Sequence, residues 1–257
     1  MANSPTDASL HQFRAPDGAR IAWREMGDPG GRPIVLIHGL FSNSFVNWIR
    51  YGHAAKLAAK GRRVLMPDLR AHGESAKPHD PGGYSADILA DDNLGLLVHL
   101  GLEDGGYDLG GYSLGSRTVA RMLMRGARPG RAMLAGLGLE GLLDLRGRFP
   151  FFRQVLEGMG SHEKFSPAWM AEGFLRTTGG DAKALLLLLD HFPLIPRAAL
   201  HGFDLPILVL IGEEDQDNGS ARALADALPN ASYVEVPGNH MSAVTLPALG
   251  DAIANWF

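Results

Sequence analysis

Two runs of consecutive apolar residues narrow the fold before anything else does: 33–37 (PIVLI) and 206–211 (PILVLI). A strand with one face in water alternates apolar and polar residues. A strand without that alternation is buried on both faces, as in parallel sheets covered by helices on either side. Shorter strands are expected at 64–66, 107–111, 131–135 and 232–236, and helical spacing of apolar residues runs through 48–59, 85–100, the stretch after 113, 220–228 and 242–257. Ahead of these, 10–14 and 20–25 flank Pro16-Asp17-Gly18, a turn signal that makes them a hairpin. A hairpin followed by alternating strand and helix predicts an α/β fold: an open, mostly parallel sheet with helices on both faces.

The alternation breaks once. Residues 138–203 are too long for a simple strand connection and carry Phe149, Phe151, Phe152, Phe165, Trp169 and Phe174, with Pro and Gly dividing short helical pieces such as 185–189. This stretch is expected to be a helical insertion over one rim of the sheet, leaving 1–137 and 204–257 as the core domain.

In open α/β sheets ligands bind beyond the carboxyl ends of the strands. The polar segments that follow strands therefore hold the candidates. The most specific is 107–116 (YDLGGYSLGS), a Gly-x-Ser-x-Gly pattern between an expected strand and an expected helix. A sharp strand-to-helix turn brings backbones too close for a Cβ at Gly111 and Gly115 and leaves Ser113 protruding above a helix N-terminus. Alone, the pattern also fits a serine that caps a helix. A nucleophilic serine needs a base and a carboxylate that orients the base. Among the ten histidines, His240 sits in the turn after the last strand, within VEVPGNHMS. His38 and His72 occupy loops whose shape they are expected to hold, and His191 and His201 lie in or near the insertion. For the carboxylate, Glu213, Glu214, Asp215 and Asp217 all compete in the loop after the second long apolar run. A further pattern, 136–141 (GLGLEG), matches a dinucleotide fingerprint. It follows the sixth strand rather than the first, and lacks an acidic residue at a strand end about 20 positions on.

Composition excludes several classes. The chain has no cysteine, so disulfides, thiolate metal sites and a cysteine nucleophile are out. A net charge of −4 gives no footprint for nucleic acid; Arg146, Arg148 and Arg153 make only a short basic face. The N-terminal stretch shows no basic and apolar leader pattern, and no run reaches the roughly 18 apolar residues of a membrane span. The sequons at Asn218 and Asn230 have no meaning without secretion. The expectation is a soluble cytoplasmic protein acting on a small molecule.

His38-Gly39, the 68–75 loop (DLRAHGES), the GYSLGS elbow, the Gly212–Asp215 turn and Gly238-Asn239-His240 together resemble the α/β-hydrolase superfamily, in order and over nearly the whole chain outside the insertion. The resemblance implies an eight-stranded sheet with a helical cap after strand six. It places the acid three residues after Gly212, at Asp215, giving the chain order Ser113, Asp215, His240. It implies an oxyanion hole from the backbone N–H groups of Leu114 and Leu40, with Phe41 the competing neighbour. Two positions depart from the pattern: Ala71, where the family often has glycine, and Ser116, where a second glycine is common.

The chemistry implied is acyl transfer without a metal or organic cofactor. His240 takes the proton of Ser113, Asp215 holds the imidazole, and an acyl-enzyme forms and is hydrolysed. The expected substrate is a small to medium, uncharged ester, its acyl part held against an apolar wall of Phe152 and Trp169 from the insertion and Phe41 from the His-Gly loop. C–C bond hydrolases, lyases and perhydrolases share this triad, and a few members with an intact triad serve as ligand receptors.

Overall fold

The computed structural model of the chain describes residues 8–257; residues 1–7, on which part of the leader reading rests, lie outside the described residues. β1 (Ser9–Arg14) and β2 (Arg20–Gly27) form the hairpin, paired antiparallel from Ser9↔Glu25 to Arg14↔Arg20. β3 (Pro33–Ile37), β4 (Arg63–Pro67), β5 (Asp108–Tyr112), β6 (Ala132–Ala135), β7 (Ile207–Gly212) and β8 (Ala231–Val236) complete an eight-stranded sheet. Its order is β1-β2-β4-β3-β5-β6-β7-β8; β2 meets β4 antiparallel and the remaining pairs are parallel.

The unbroken apolar runs serve both faces. Val35 and Ile37 of β3 join one core cluster with Leu109, Leu134 and Val209, while Ile34 and Leu36 join the other with Met66, Met133 and Leu210. The first face is covered by α2 (Ile88–His99), α3 (Leu114–Met124) and α8 (Ala221–Ala227), the second by α1 (His53–Ala58) and α9 (Pro247–Trp256). Burying each of these Leu, Ile or Val side chains contributes about 1.5–3 kcal/mol.

Three helices begin later than the periodicity suggests, each for a local reason. The first expected helix is split: a π-turn at Phe45–Ile49 ends before Gly52, which is left-handed at φ 80°, and α1 starts only at His53. The last is preceded by a 3-10 turn at Ala243–Thr245 and begins at Pro247, where a missing N–H costs nothing. α2 starts at Ile88 after a turn at 85–88.

Between β6 and β7 lie α4 (Leu139–Leu143), α5 (Phe149–Glu157), α6 (Pro167–Thr177) and α7 (Ala182–Leu189), with 3-10 turns at Leu145–Arg148 and Arg197–Gly202. Ser166 and Asp181 cap α6 and α7 by accepting the N–H groups of Trp169 and Ala184. Among the described residues no helix is long and apolar enough to cross a membrane.

Strand order reverses between β3 and β5, so the loops that follow these two strands part in opposite directions and leave a crevice at the carboxyl rim. His38 to Leu40 follow β3 and Ser113 follows β5.

Candidate active site

The chain reverses from β5 into α3 at a single residue. Ser113 has φ 54° and ψ −115°, a region that costs an L-residue about 1–2 kcal/mol. The flanking glycines are required by space. A Cβ on Gly111 would lie 2.2 Å from the Gly115 carbonyl carbon, and one on Gly115 would lie 2.0 Å from Ile37 O. Ser116, the departure noted in the sequence, ties the elbow to β6. Its Oγ lies 2.8 Å from Gly111 O and 2.7 Å from Ala135 O, and accepts the Ala135 N–H at 2.8 Å.

The turn after β8 brings His240 to the serine, with Nε2 3.1 Å from Ser113 Oγ. The other ring nitrogen, Nδ1, lies 2.8 Å from Asp215 Oδ2. This pairing sets the tautomer: Nδ1–H donates to the carboxylate and Nε2 is free to accept from the serine hydroxyl. Of the four competing acids, Asp215 is the one that reaches His240. Its side chain is fully buried, Glu213, Glu214 and Asp217 are exposed, and the Asp217 N–H donates to Asp215 Oδ1 at 3.2 Å. Ligand-type atoms of Asp215, Asp217 and His240 lie within 4.8 Å of one another, which is also a metal-sized grouping, but the short Nδ1 contact to Asp215 is a hydrogen bond.

Two side chains that no local pattern singled out complete this corner. The Tyr112 hydroxyl donates to His240 O at 2.6 Å, and its ring centre is 5.4 Å from the imidazole. Burial, reinforced by the charges of Asp215 and Asp217, pushes its phenol well above the ordinary value, so it remains a donor. Asn218 Nδ2 lies 3.4 Å from both Gly136 O and His240 Nδ1. These contacts also explain the GLGLEG run. A Cβ on Gly136 would lie 2.7 Å from the Tyr112 ring, one on Gly138 2.2 Å from the Gly219 carbonyl carbon, and one on Gly141 2.8 Å from Asn218 Cβ. Its glycines admit close neighbours.

On the β3 side, His38 is fully buried. The Leu69 N–H donates to its Nε2 at 2.9 Å, so Nδ1 carries the proton and donates to Gly39 O at 2.8 Å. Burial lowers its pKa, against the pull of Asp68, and keeps it neutral. The bond fixes the Gly39–Leu40 peptide, hence the direction of the Leu40 N–H. Asn47 Oδ1 accepts the Gly39 N–H at 3.1 Å. The N–H groups of Leu40, Phe41 and Leu114 have no hydrogen-bond partner among the described residues. His72 packs on His38 with ring centres 5.1 Å apart, and its Nδ1 donates to Arg70 O at 2.9 Å. Neighbouring Ala71 is left-handed at φ 70°, which explains why glycine suits that position. His191 is half-buried and His201 exposed, and neither joins this group.

A cavity of about 460 Å³ opens beside Ser113 and His240. Leu40, Val46 and Tyr51 line one side, Met241 and Val244 another, and Phe174 closes it from α6. Among the described residues no Asp, Glu, Lys or Arg lines it. The aromatic residues expected here are elsewhere. Trp169 is 39% exposed and packs against the exposed Phe165 with the rings tilted by 55°. It precedes Phe174 by five residues, which on a helix turns it about 140° away. Phe41 and Phe152 pack edge to face with ring centres 5.7 Å apart and do not line the cavity.

The family model described as the alpha/beta hydrolase fold matches residues 32–133. A non-heme haloperoxidase of Rhodococcus erythropolis is 28% identical over 264 residues, covering 87% of this chain and 90% of that protein. The acetyltransferase component of an acetoin-cleaving system from Pseudomonas putida is 38% identical over 126 residues, 48% of this chain, which spans only 31% of that protein's length. Among solved structures, an esterase from Thermogutta terrifontis superposes with a TM-score of 0.76 at 23% identity, over 97% of this chain and 98% of that one.

Proposed function

We propose that the chain is a serine hydrolase of the α/β-hydrolase superfamily, acting on small to medium, uncharged carboxylic esters. The observation that carries the reading is the relay from Asp215 Oδ2 through His240 to Ser113 Oγ, at 2.8 and 3.1 Å, at the edge of a cavity that no ionic side chain of the described residues lines. His240 Nε2 takes the Ser113 proton as Oγ attacks the ester carbonyl. Asp215 holds the Nδ1–H tautomer and stabilises the imidazolium. The Leu40 and Leu114 N–H groups receive the oxyanion, each worth on the order of 3 kcal/mol. His240 then protonates the leaving alkoxide, and water, activated by the same imidazole, releases the acid.

An uncharged cavity favours an uncharged substrate, since an ion entering it loses hydration without a partner. The segment 138–203 acts as a lid, with Phe174 as its contact to substrate. A neighbouring reading draws on the similarity to the haloperoxidase of Rhodococcus erythropolis. Hydrogen peroxide replaces water on the acyl-enzyme, so that the acyl group leaves as a peracid and Ser113 regains its proton.

The test is a fluorophosphonate probe with peptide mapping, together with p-nitrophenyl esters of increasing chain length. Ser113 takes the label, and Ser113→Ala abolishes labelling and lowers turnover by several orders of magnitude. Label at another residue, or turnover retained in the alanine variant, refutes the assignment. Peracid formation in acetate and peroxide at a rate above ester hydrolysis selects the peroxide reading.

A further inference from the structure

The loop that presents Leu40 is a β-turn, residues 39–42, closed by Ser42 N–H to Gly39 O at 3.2 Å. Phe41 occupies its third position with φ 62°. A turn of that shape calls for glycine or asparagine there, and a bulky side chain holds the left-handed region only when its surroundings impose it. The surroundings that impose it belong to the segment between β6 and β7. Phe152 packs edge-on against the Phe41 ring at an interplanar angle of 76°. Thr178, buried at the C-terminal end of α6, places Oγ1 2.6 Å from Phe41 O and 2.9 Å from Leu175 O. The hydroxyl has one proton, and the shorter contact is the one that crosses to the turn. Asn43 Nδ2 returns a bond to Thr178 O at 3.4 Å.

We infer that Thr178 is a positioning residue for the oxyanion hole, a role that rests on the serine-hydrolase reading above. The Leu40 amide is clamped from two sides. His38 fixes the peptide before it through Gly39 O, and Thr178 fixes the peptide after Phe41. Without the Thr178 hydroxyl, Phe41 O loses its donor and the left-handed residue has less to hold it. The turn relaxes and the Leu40 N–H swings from the position where the oxyanion forms. The segment over the site therefore helps to assemble the catalytic geometry in addition to enclosing substrate. The arrangement with Phe174 against the cavity and Thr178 on Phe41 is the one that carries the complete hole.

The experiment compares wild type, Thr178→Val and Thr178→Ser on p-nitrophenyl butyrate. A trifluoromethyl ketone, which adds to the serine as a tetrahedral oxyanion, is the second probe. In T178V, kcat falls about ten- to hundredfold, the range for misplacing a catalytic group by up to an ångström. KM changes by less than about twofold, and the ketone weakens by the same factor as kcat, because both read the oxyanion. T178S restores both. Thr178→Ala, which puts no methyl against the carbonyl, carries the same expectation and serves if T178V does not fold. An active wild type with kcat and ketone affinity unchanged in these variants, or a rise in KM alone, overturns the inference. A wild type that neither turns over ester nor takes a fluorophosphonate at Ser113 overturns the hydrolase reading and this inference with it.

Discussion

Acidification is expected to destabilise this fold through a histidine before it reaches most carboxylates. His72 is 2% exposed; its Nδ1 donates to Arg70 O, and its buried Nε2 has no partner among the described residues. A second proton would sit on the buried Nε2, in a ring packed against His38. Burial first, and the neighbouring His38 second, push its pKa down to about 3 from 6.5. The folded pKa is depressed, and the group is a base. The unfolded chain therefore binds a proton between the two values that the folded chain refuses. Stability is complete above pH 6.5 and is lost as pH falls below it, down toward pH 3.

At pH 5 the solution lies one and a half units below the unfolded pKa, and at about 1.36 kcal/mol per unit the loss is about 2 kcal/mol relative to pH 8. His38, also depressed by burial, adds a loss of the same sign. The perturbation is His72→Asn, whose amide N–H replaces the Nδ1 donor but does not titrate. The assay is urea unfolding at pH 8 and pH 5, followed by tryptophan fluorescence, to which the fully buried Trp48 contributes. The difference in unfolding free energy between the two pH values shrinks by about 2 kcal/mol in the variant, with m unchanged. An equal pH dependence in wild type and variant refutes the assignment of His72 as a neutral buried base.

Asp215→Asn is expected to lower kcat on p-nitrophenyl esters by about 10³–10⁴, because an amide supports the wrong imidazole tautomer, whereas Asp217→Asn stays within a few fold; a reversed ranking in steady-state kinetics moves the role to Asp217. Ala71→Gly relieves a left-handed alanine and raises stability by up to about 1 kcal/mol after the entropy of the freer unfolded chain is offset, which chemical denaturation reads; a loss of stability contradicts the strain. Phe174→Ala shifts the preferred acyl length among p-nitrophenyl esters while Trp169→Ala leaves it unchanged, and a shift in the tryptophan variant alone reverses the orientation of α6 argued above.

The sheet was legible because burial on both faces leaves no polar position in 33–37 or 206–211, and the elbow because its glycines are required by contacts a Cβ cannot make. The acid was not legible from its loop, where Asp215 and Asp217 have the same chemistry two residues apart; only the resemblance separated them. The cavity wall was illegible for a different reason. Trp169 and Phe174 share α6, and composition cannot say which side of a short helix faces the site when its angle is set by packing on other elements. Tyr112 and Asn218 left no signal because each acts on a residue distant in sequence: Tyr112 reaches His240 across 128 positions. The turn at Phe41 was hidden for the opposite reason, since its residue type argues against its conformation.

Phe41 is not isolated in this. Four non-glycine residues have positive φ among the described residues: Phe41, Ala71, Ser113 and Phe165. Three of them lie in the loops that leave the carboxyl ends of β3, β4 and β5, the neighbouring strands at the centre of the sheet. Such conformations persist only where surrounding structure over-determines them, and each costs on the order of 1–3 kcal/mol. Here the surroundings can be named. The elbow at Ser113 is held by the close packing of Gly111 and Gly115, the turn at Phe41 by Phe152 and Thr178, and Ala71 by its N–H bond to Ala76 O at 2.9 Å. The rim is thus the part of the molecule where local preference and fold disagree. A rim built from relaxed turns would be more stable in isolation. Under the proposed mechanism, the strain is the cost of holding the Ser113 hydroxyl, the His240 imidazole and the two amide N–H groups in position to receive a carbonyl.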